Sequence, residues 1–179
     1  MSDAVGFAPA PPSARHGAAP LLGDDRVAIR AERRIVFASM AAVGDWALWW
    51  PGVRFHRPWS PGSASREPDA NGTGMASVLI DGTLEVVLNP FKLVRMTLRA
   101  RDVRQGVGWV WDVGGDVDAT SEVWLEDLGD CVVVHHLVWP GTSRRARSAP
   151  VLRRVMRQGM WSLKEHVQQL TSDRSVPTP

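Results

Sequence analysis

The side chain best suited to acid–base chemistry in this sequence is the imidazole of His136. Residues 131–139 read as a β-strand, and alternation turns Val132, Val134, His136 and Val138 to one face and Val133, His135 and Leu137 to the other. His136 is then an ionisable group on an otherwise apolar surface, where it can hydrogen-bond a ligand or move a proton. The alternative is structural: a histidine satisfied by the Ser121 hydroxyl or by an indole N–H. His135 points the opposite way and pairs with Glu122, so the doublet makes a poor metal site. The single cysteine, Cys131, excludes an internal disulfide and cannot form a zinc site alone. No phosphate-binding or dinucleotide glycine fingerprint and no triad-like motif is present, so neither a cofactor nor a metal is expected.

A second kind of chemistry is offered by rings and thioethers. The chain has nine Trp and four Phe but no Tyr, so most of its large rings carry an N–H that needs a partner when buried. Trp109, Trp111, Met96, Met156 and Met160 can form an adaptable wall for an irregular apolar ligand. Leu98, Ser121, Val123, Val134 and Leu163 share the same inward surface and complete the candidate binding set. The same residues also serve as an ordinary core, and the residue types alone do not separate the two readings. Trp46, Trp49 and Trp50 are expected to wedge short helices against the sheet edge, one of them reaching an entrance.

The elements that position these residues follow from periodicity. Residues 26–31 read as a first strand and 33–42 as a short helix. A second short helix follows, with Asp45 as its N-cap and Pro51 as its stop. Residues 53–59 return to extended structure, and the Pro/Ser/Gly/Asp-rich stretch 60–72 reads as a long surface loop. Strands are expected at 75–81, 91–103, 107–113, 119–126 and 131–139, the last four joined by three short linkers and so forming an antiparallel meander. In strand 91–103, Val94, Met96, Leu98 and Ala100 share the inner face. A hairpin pairing Val103 with Gly108 sets Ala100 opposite Trp111, Leu98 opposite Val113 and Arg99 opposite Asp112. Continuing the register places Trp109 opposite Val123 and Trp111 opposite Ser121. A turn at 127–130 then sets Val123 opposite Val134 and Glu122 opposite His135.

The last element, 149–170, reads as a long amphipathic helix entered through Pro150. Its apolar stripe is Val151, Leu152, Val155, Met156, Met160, Leu163, Val167 and Leu170. Gly159, in the middle of that stripe, implies close packing or room for a ligand. The opposite face carries Arg153, Arg154, Arg157 and Lys164, continuing a basic cluster from Arg144, Arg145 and Arg147, with Trp161 on the polar side. Arg154, Arg157 and Trp161 offer weak contact with an anionic membrane surface, and a plain solvated face is the simpler reading.

Residues 1–24, rich in Ala, Pro, Gly and Ser, are expected to be a floppy leader, 25–170 one folded domain, and 171–179 a flexible tail. The 179-residue length suits one core, and a net charge of +2 gives no support for nucleic-acid binding. The lone cysteine and the lack of a secretory or membrane-spanning segment suggest a cytoplasmic protein, either a monomer or a homodimer.

The segment Asp45-Trp46-Ala47-Leu48-Trp49-Trp50-Pro51-Gly52-Val53 resembles the Trp-rich Pro-Gly-Val turn of the SRPBCC superfamily, which includes START-type lipid-transfer domains, birch-pollen-allergen-like proteins and polyketide cyclases/dehydratases. Gly115-Asp116-Val117, the run Glu122-Val123-Trp124-Leu125-Glu126, and the stretch from Gly129 to His136 are similar to that family's strand motifs. The stretch from Met156 to Lys164 is similar to its terminal-helix signature. The sequence departs from the pattern at Val123, where Trp is frequent, and at Cys131-Val132, where Gly-Thr is usual. The resemblance implies an α+β helix-grip fold: a curved antiparallel sheet of six or seven strands around a long C-terminal helix, with two short helices after the first strand. It further implies a cavity that binds a lipid, a polyketide-like molecule or another hydrophobic compound. The alternatives are a cyclase, aromatase or dehydratase using His136 as acid/base, and a carrier that visits membranes.

Overall fold

The computed structural model describes residues 21–56, 82–89 and 92–173. The expected loop at 60–72, the strand at 75–81 and the first twenty residues of the expected leader lie outside them. The elements run β1 (Gly23–Ile29), α1 (Arg33–Ala41), a 3-10 turn (Val43–Asp45), α2 (Trp46–Trp49), β2 (Val53–His56), β3 (Gly82–Asn89), β4 (Lys92–Arg104), β5 (Gly108–Gly115), β6 (Ala119–Asp127), β7 (Val132–Pro140) and α3 (Ala149–Asp173). All seven strands join one antiparallel sheet in the order β1-β7-β6-β5-β4-β3-β2, which is the helix-grip arrangement.

This order has a mechanical consequence. The first two strands occupy opposite edges of the sheet, so the chain between them must cross the sheet's whole width. It does so as α1, the 3-10 turn and α2, which together with α3 cover one face. That face is apolar because of strand alternation: Val94, Met96 and Leu98 of β4, Trp109, Trp111 and Val113 of β5, Val123 and Leu125 of β6, and Val132, Val134 and Val138 of β7 are all buried in one core with α3's Leu152, Val155, Met156, Met160, Leu163 and Val167.

Several expectations change in detail. β1 spans Gly23–Ile29 rather than 26–31, so the folded region begins two residues before the expected boundary, and α3 continues to Asp173, into the expected tail. β3 was not anticipated; its alternation of Leu84 and Val86 inward with Thr83 and Glu85 outward pairs it to β4, Leu84 opposite Met96. The β4–β5 register holds at Ala100–Trp111, Leu98–Val113 and Arg99–Asp112. A bulge with Asp102 at φ 50° then slips the end, so that Arg104 rather than Val103 meets Gly108. Asp112 forms its ion pair diagonally, with Arg101 at 2.9 Å, and not with Arg99.

The β6–β7 register differs by two residues from expectation. Val123 faces His136 and Leu125 faces Val134, because the strands close at Asp127–Val132. The turn takes this frame because the Asp127 carboxylate accepts the Gly129 N–H at 3.0 Å, with Gly129 at φ 89°. A two-residue slip preserves which side chains face inward, so the apolar face is unaltered. It does separate Glu122 from His135: His135 donates to Glu126 at 3.0 Å and stacks on Trp124, while Glu122 lies 3.3 Å from Arg104.

Helix α3 is fixed near its start and at its middle by different means. Near its start, the Arg153 guanidinium grips the Asp25 carboxylate of β1 through two hydrogen bonds, at 2.7 and 3.1 Å. Midway, buried Gly159 lets the Trp50 ring lie directly on the helix, where a methyl group at position 159 would sit 2.6 Å from the ring. Close packing, not empty room, therefore accounts for the glycine. Leu170, assigned to the inward stripe, is 38% exposed, whereas Val167, one turn earlier, is fully buried. We expect Gly159→Ala to destabilise the protein by about 1–2 kcal/mol, although Ala gains about 1 kcal/mol in helix propensity, because overpacking against the indole outweighs it. In a Trp50→Leu background the same change should become stabilising, and urea unfolding of the four proteins measures both effects.

Candidate functional site

Between α1, α2, α3 and the sheet lies an apolar cleft lined by Met40, Trp46, Trp49, Trp50, Trp109, Trp111, Val123, Val134, Met156, Gly159, Met160 and Leu163. No charged or hydroxyl side chain belongs to this wall. Of the residues singled out in the sequence, Trp109, Trp111, Val123, Val134, Met156, Met160 and Leu163 meet here. Met96, Leu98, Ser121 and His136 are fully or almost fully buried but do not line the cleft.

The sequence reading missed the contribution of α2 and of Met40. Trp46 and Trp50 are only 2% exposed and belong to the core; Trp46 also packs on Phe55 of the edge strand β2, with ring centres 5.7 Å apart. Trp46 anchors the group, with its indole N–H donating to the Met40 carbonyl at 2.9 Å. Around it the rings pack edge to face: Trp46 lies 6.0 Å from Trp111, and Trp111 lies 5.3 Å from Trp109. Trp49 stacks between Trp50 at 6.0 Å and His166 of α3 at 5.8 Å. Helix α2 is only four residues long, and Asp45, although in the N-cap position, makes no side-chain capping bond. This short helix is thus held chiefly by aromatic contacts.

The indoles nearly fill the hollow expected between sheet and helix. The cleft holds about 30 Å³, room for roughly one water molecule. Four of its indole N–H groups, those of Trp49, Trp50, Trp109 and Trp111, are buried with no hydrogen-bond partner. An unsatisfied buried donor costs about 1–3 kcal/mol, so the wall carries an appreciable polar penalty inside an apolar shell. Met160 also lines a second, larger depression of about 250 Å³ on the outside, formed with Asp24, Asp25, Arg26, Val27, Arg157 and Trp161 between β1 and α3. That methionine is the shared wall between the outer groove and the inner cleft.

His136 is wholly buried, with its Nε2 sharing a 2.7 Å hydrogen bond with the Ser121 hydroxyl and its Nδ1 without a partner. It sits opposite Asp25 in the β1–β7 ladder. Burial drives its pKa down to about 4; Asp25 opposes that shift and Arg153 adds to it. The imidazole is therefore neutral at physiological pH, the structural reading of this residue. His135 is also lowered by burial, against the pull of Glu126.

On the outer side, Arg154 and Arg157 are exposed, and Trp161, 51% exposed, has the Lys164 ammonium 5.2 Å from its ring centre. Among the described residues no group of His, Cys, Asp or Glu is placed to hold a metal ion, and no helix is long and apolar enough to cross a membrane.

No protein-family profile and no curated protein matches the chain. Solved structures do. The chain superposes with a TM-score of 0.61 on StfQ, a di-domain ARO/CYC from the steffimycin biosynthetic pathway, at 12% identity over 85% of this chain and 46% of that one. It thus spans about half the length of StfQ. A START superfamily protein from Mycobacterium smegmatis matches with a TM-score of 0.58, at 10% identity over 84% of this chain and 99% of that one. Ara h 8.0201 matches with 0.57, at 8% identity over 82% and 97%.

The buried imidazole makes stability depend on pH. In the unfolded chain His136 titrates near 6.5, and in the folded protein near 4, so the unfolded state takes up the proton first as pH falls. This contribution is fully present above pH 6.5, shrinks between 6.5 and 4, and amounts to about 3 kcal/mol across that window. We expect urea midpoints of the wild type to drop more steeply from pH 7 to 4.5 than those of His136→Phe. Parallel profiles would show that the imidazole is not excluded from solvent.

Proposed function

We propose that this chain, which carries the helix-grip fold of the SRPBCC superfamily, binds a hydrophobic small molecule in the cleft between α2, α3 and the sheet. The observation that carries this reading is the composition of the wall, which consists of five indoles, three thioethers, aliphatic groups and one glycine and has no charge. Such a surface takes up apolar material and offers nothing to a sugar, a nucleotide or a phosphate.

Entry of a molecule larger than water requires the wall to move. The parts that line the cleft are those able to do so. Methionine side chains repack at little cost. Helix α2 lacks a side-chain cap and leads directly into Gly52, which at φ 77° forms the turn to β2. Displacing the Trp50 ring from the notch at Gly159 opens the space between α2 and α3. The likeness to a START superfamily protein and to an ARO/CYC domain supports a ligand-binding role for the concave face.

Binding is favoured over catalysis by His136 because that imidazole does not line the cleft, is committed to Ser121 through Nε2, and is held neutral. Proton transfer to a ligand in the cleft would need a path through Val123 or Val134, its apolar neighbours on the wall.

The test uses fluorene, an uncharged tricyclic hydrocarbon, in equilibrium dialysis against the purified chain. We expect saturable binding of one molecule per chain, weakened about tenfold or more by Val123→Phe, which extends a ring into the cleft. Absence of saturation up to the solubility limit, or equal binding by a folded Val123→Phe variant, would contradict the assignment.

A further inference from the structure

We infer that the free edge of β1, beside α3, is a docking site for an extended peptide that carries an acidic side chain two residues from a large apolar one. Among the described residues β1 pairs with β7 alone, so its other edge presents backbone N–H and C=O groups without a strand partner. Edge strands are ordinarily blunted by proline, by bulges or by shortness, as at the opposite edge, where β2 has four residues. β1 has seven, contains no proline and pairs with β7 without a register shift. The charges that could guard this edge are taken up by partners: Asp24 holds Arg26, and Asp25 holds Arg153.

The outer groove of about 250 Å³ follows this edge. Asp24 and Arg26 line it from one face of β1 and Asp25 and Val27 from the other, so the strand's backbone lies between them along the groove. Helix α3 supplies the opposite wall and runs in the same direction as β1: Arg153 lies against Gly23 and Asp25, Arg157 approaches Asp25, and Met160 and Trp161 share the groove with Val27. Arg157 is 62% exposed and reaches Asp25 only at 4.0 Å, too far for a hydrogen bond, so its guanidinium is open to a further carboxylate. Trp161 adds a half-exposed indole about one turn, or about 6 Å, further along the helix. Alternate side chains of an extended chain stand about 6.6 Å apart, so a strand laid along β1 sets side chains i and i+2 against Arg157 and Trp161. Backbone bonds to β1 give such a segment its affinity, and these two contacts give it selectivity. A second copy paired edge to edge would bring two basic helix faces together, each with Arg154 and Arg157 exposed. A flat anionic bilayer would meet the Asp24 carboxylate as well as the arginines and offers no backbone to the edge.

The probe is a fluorescein-labelled decapeptide in which every second residue is Thr and the residues between are Glu and Phe in turn, so that Glu and Phe share one face at the required spacing in either chain direction. Fluorescence anisotropy with the full chain should show saturable binding, weakened about tenfold or more when Lys replaces Glu in the peptide, and likewise by Arg157→Glu or Trp161→Ala in the protein. In hydrogen exchange, the amides of Gly23–Ile29 that face away from β7 should exchange freely in the chain alone and become protected at saturating peptide. No saturation up to about 1 mM peptide, equal affinity for the Lys peptide, or binding without protection of β1 would overturn the inference. Protection of these amides in the chain alone would give the edge to a second copy if it rises with protein concentration and to the chain itself if it does not, and either result overturns the inference. Vesicles of phosphatidylserine and phosphatidylcholine that bind the wild type but not Arg157→Glu, in place of the peptide, would assign this face to a membrane surface and overturn it as well. The comparison of Glu and Lys peptides is made on the wild-type chain, so it decides the matter even where a variant fails to fold.

Discussion

Placing β1 and β2 at opposite edges of one sheet forces the connection between them to cross the concave face, and that crossing governs how the interior is filled. The crossing segment carries Trp46, Trp49 and Trp50, the sheet beneath it carries Trp109 and Trp111, and α3 passes alongside. Five indoles thus converge on one location from two elements, with α3 closing the third side. Rings of that size cannot interdigitate as freely as aliphatic side chains, so they meet edge to face and leave a narrow seam. Gly159 is the adjustment that lets α3 approach the seam at all, and the Arg153–Asp25 pair holds the helix's first turns to the edge strand.

The polar groups of the interior divide into two sets with different consequences. His136 and Ser121 share one hydrogen bond through Nε2 behind the wall, with Nδ1 unpaired, and the cost of burying the imidazole appears as a depressed pKa, not as a reactive group on the cleft. The indole donors of the wall have no such partner. The hydrogen-bonded pair stabilises one arrangement of the core, whereas the unpaired indole donors cost stability.

Much of this was legible in the sequence, and the failures have identifiable causes. Alternation in Val94, Met96, Leu98 and Ala100 fixed the inner face and, through the hairpin to β5, the inward direction of Trp109 and Trp111. Fold class followed from element order together with the motif resemblance. The β6–β7 register was ambiguous because Asp127-Leu128-Gly129-Asp130 carries turn residues compatible with more than one frame, and a side-chain hydrogen bond from Asp127 decides between them. β3 escaped because the apolar run at 75–81 drew the strand assignment away from the weaker alternation around Leu84 and Val86. The role of Trp46, Trp49 and Trp50 was hidden for a different reason. A four-residue helix has too little periodicity to show which way its rings face, and only the crossing over the sheet makes them part of the wall. Likewise, inward direction along a strand does not distinguish residues at the cleft from those buried behind it, which separates Trp111 from His136.

The central claim is that the indole-lined seam opens to admit a small apolar molecule. Native mass spectrometry of the freshly purified chain, followed by exposure of the same sample to a set of uncharged apolar compounds that includes fluorene, measures this most directly. The account predicts a population heavier by the mass of a single small molecule, carried from the source or taken up from the set, and lost when Val123 is replaced by Phe. A chain that stays at its bare mass under both conditions would contradict it.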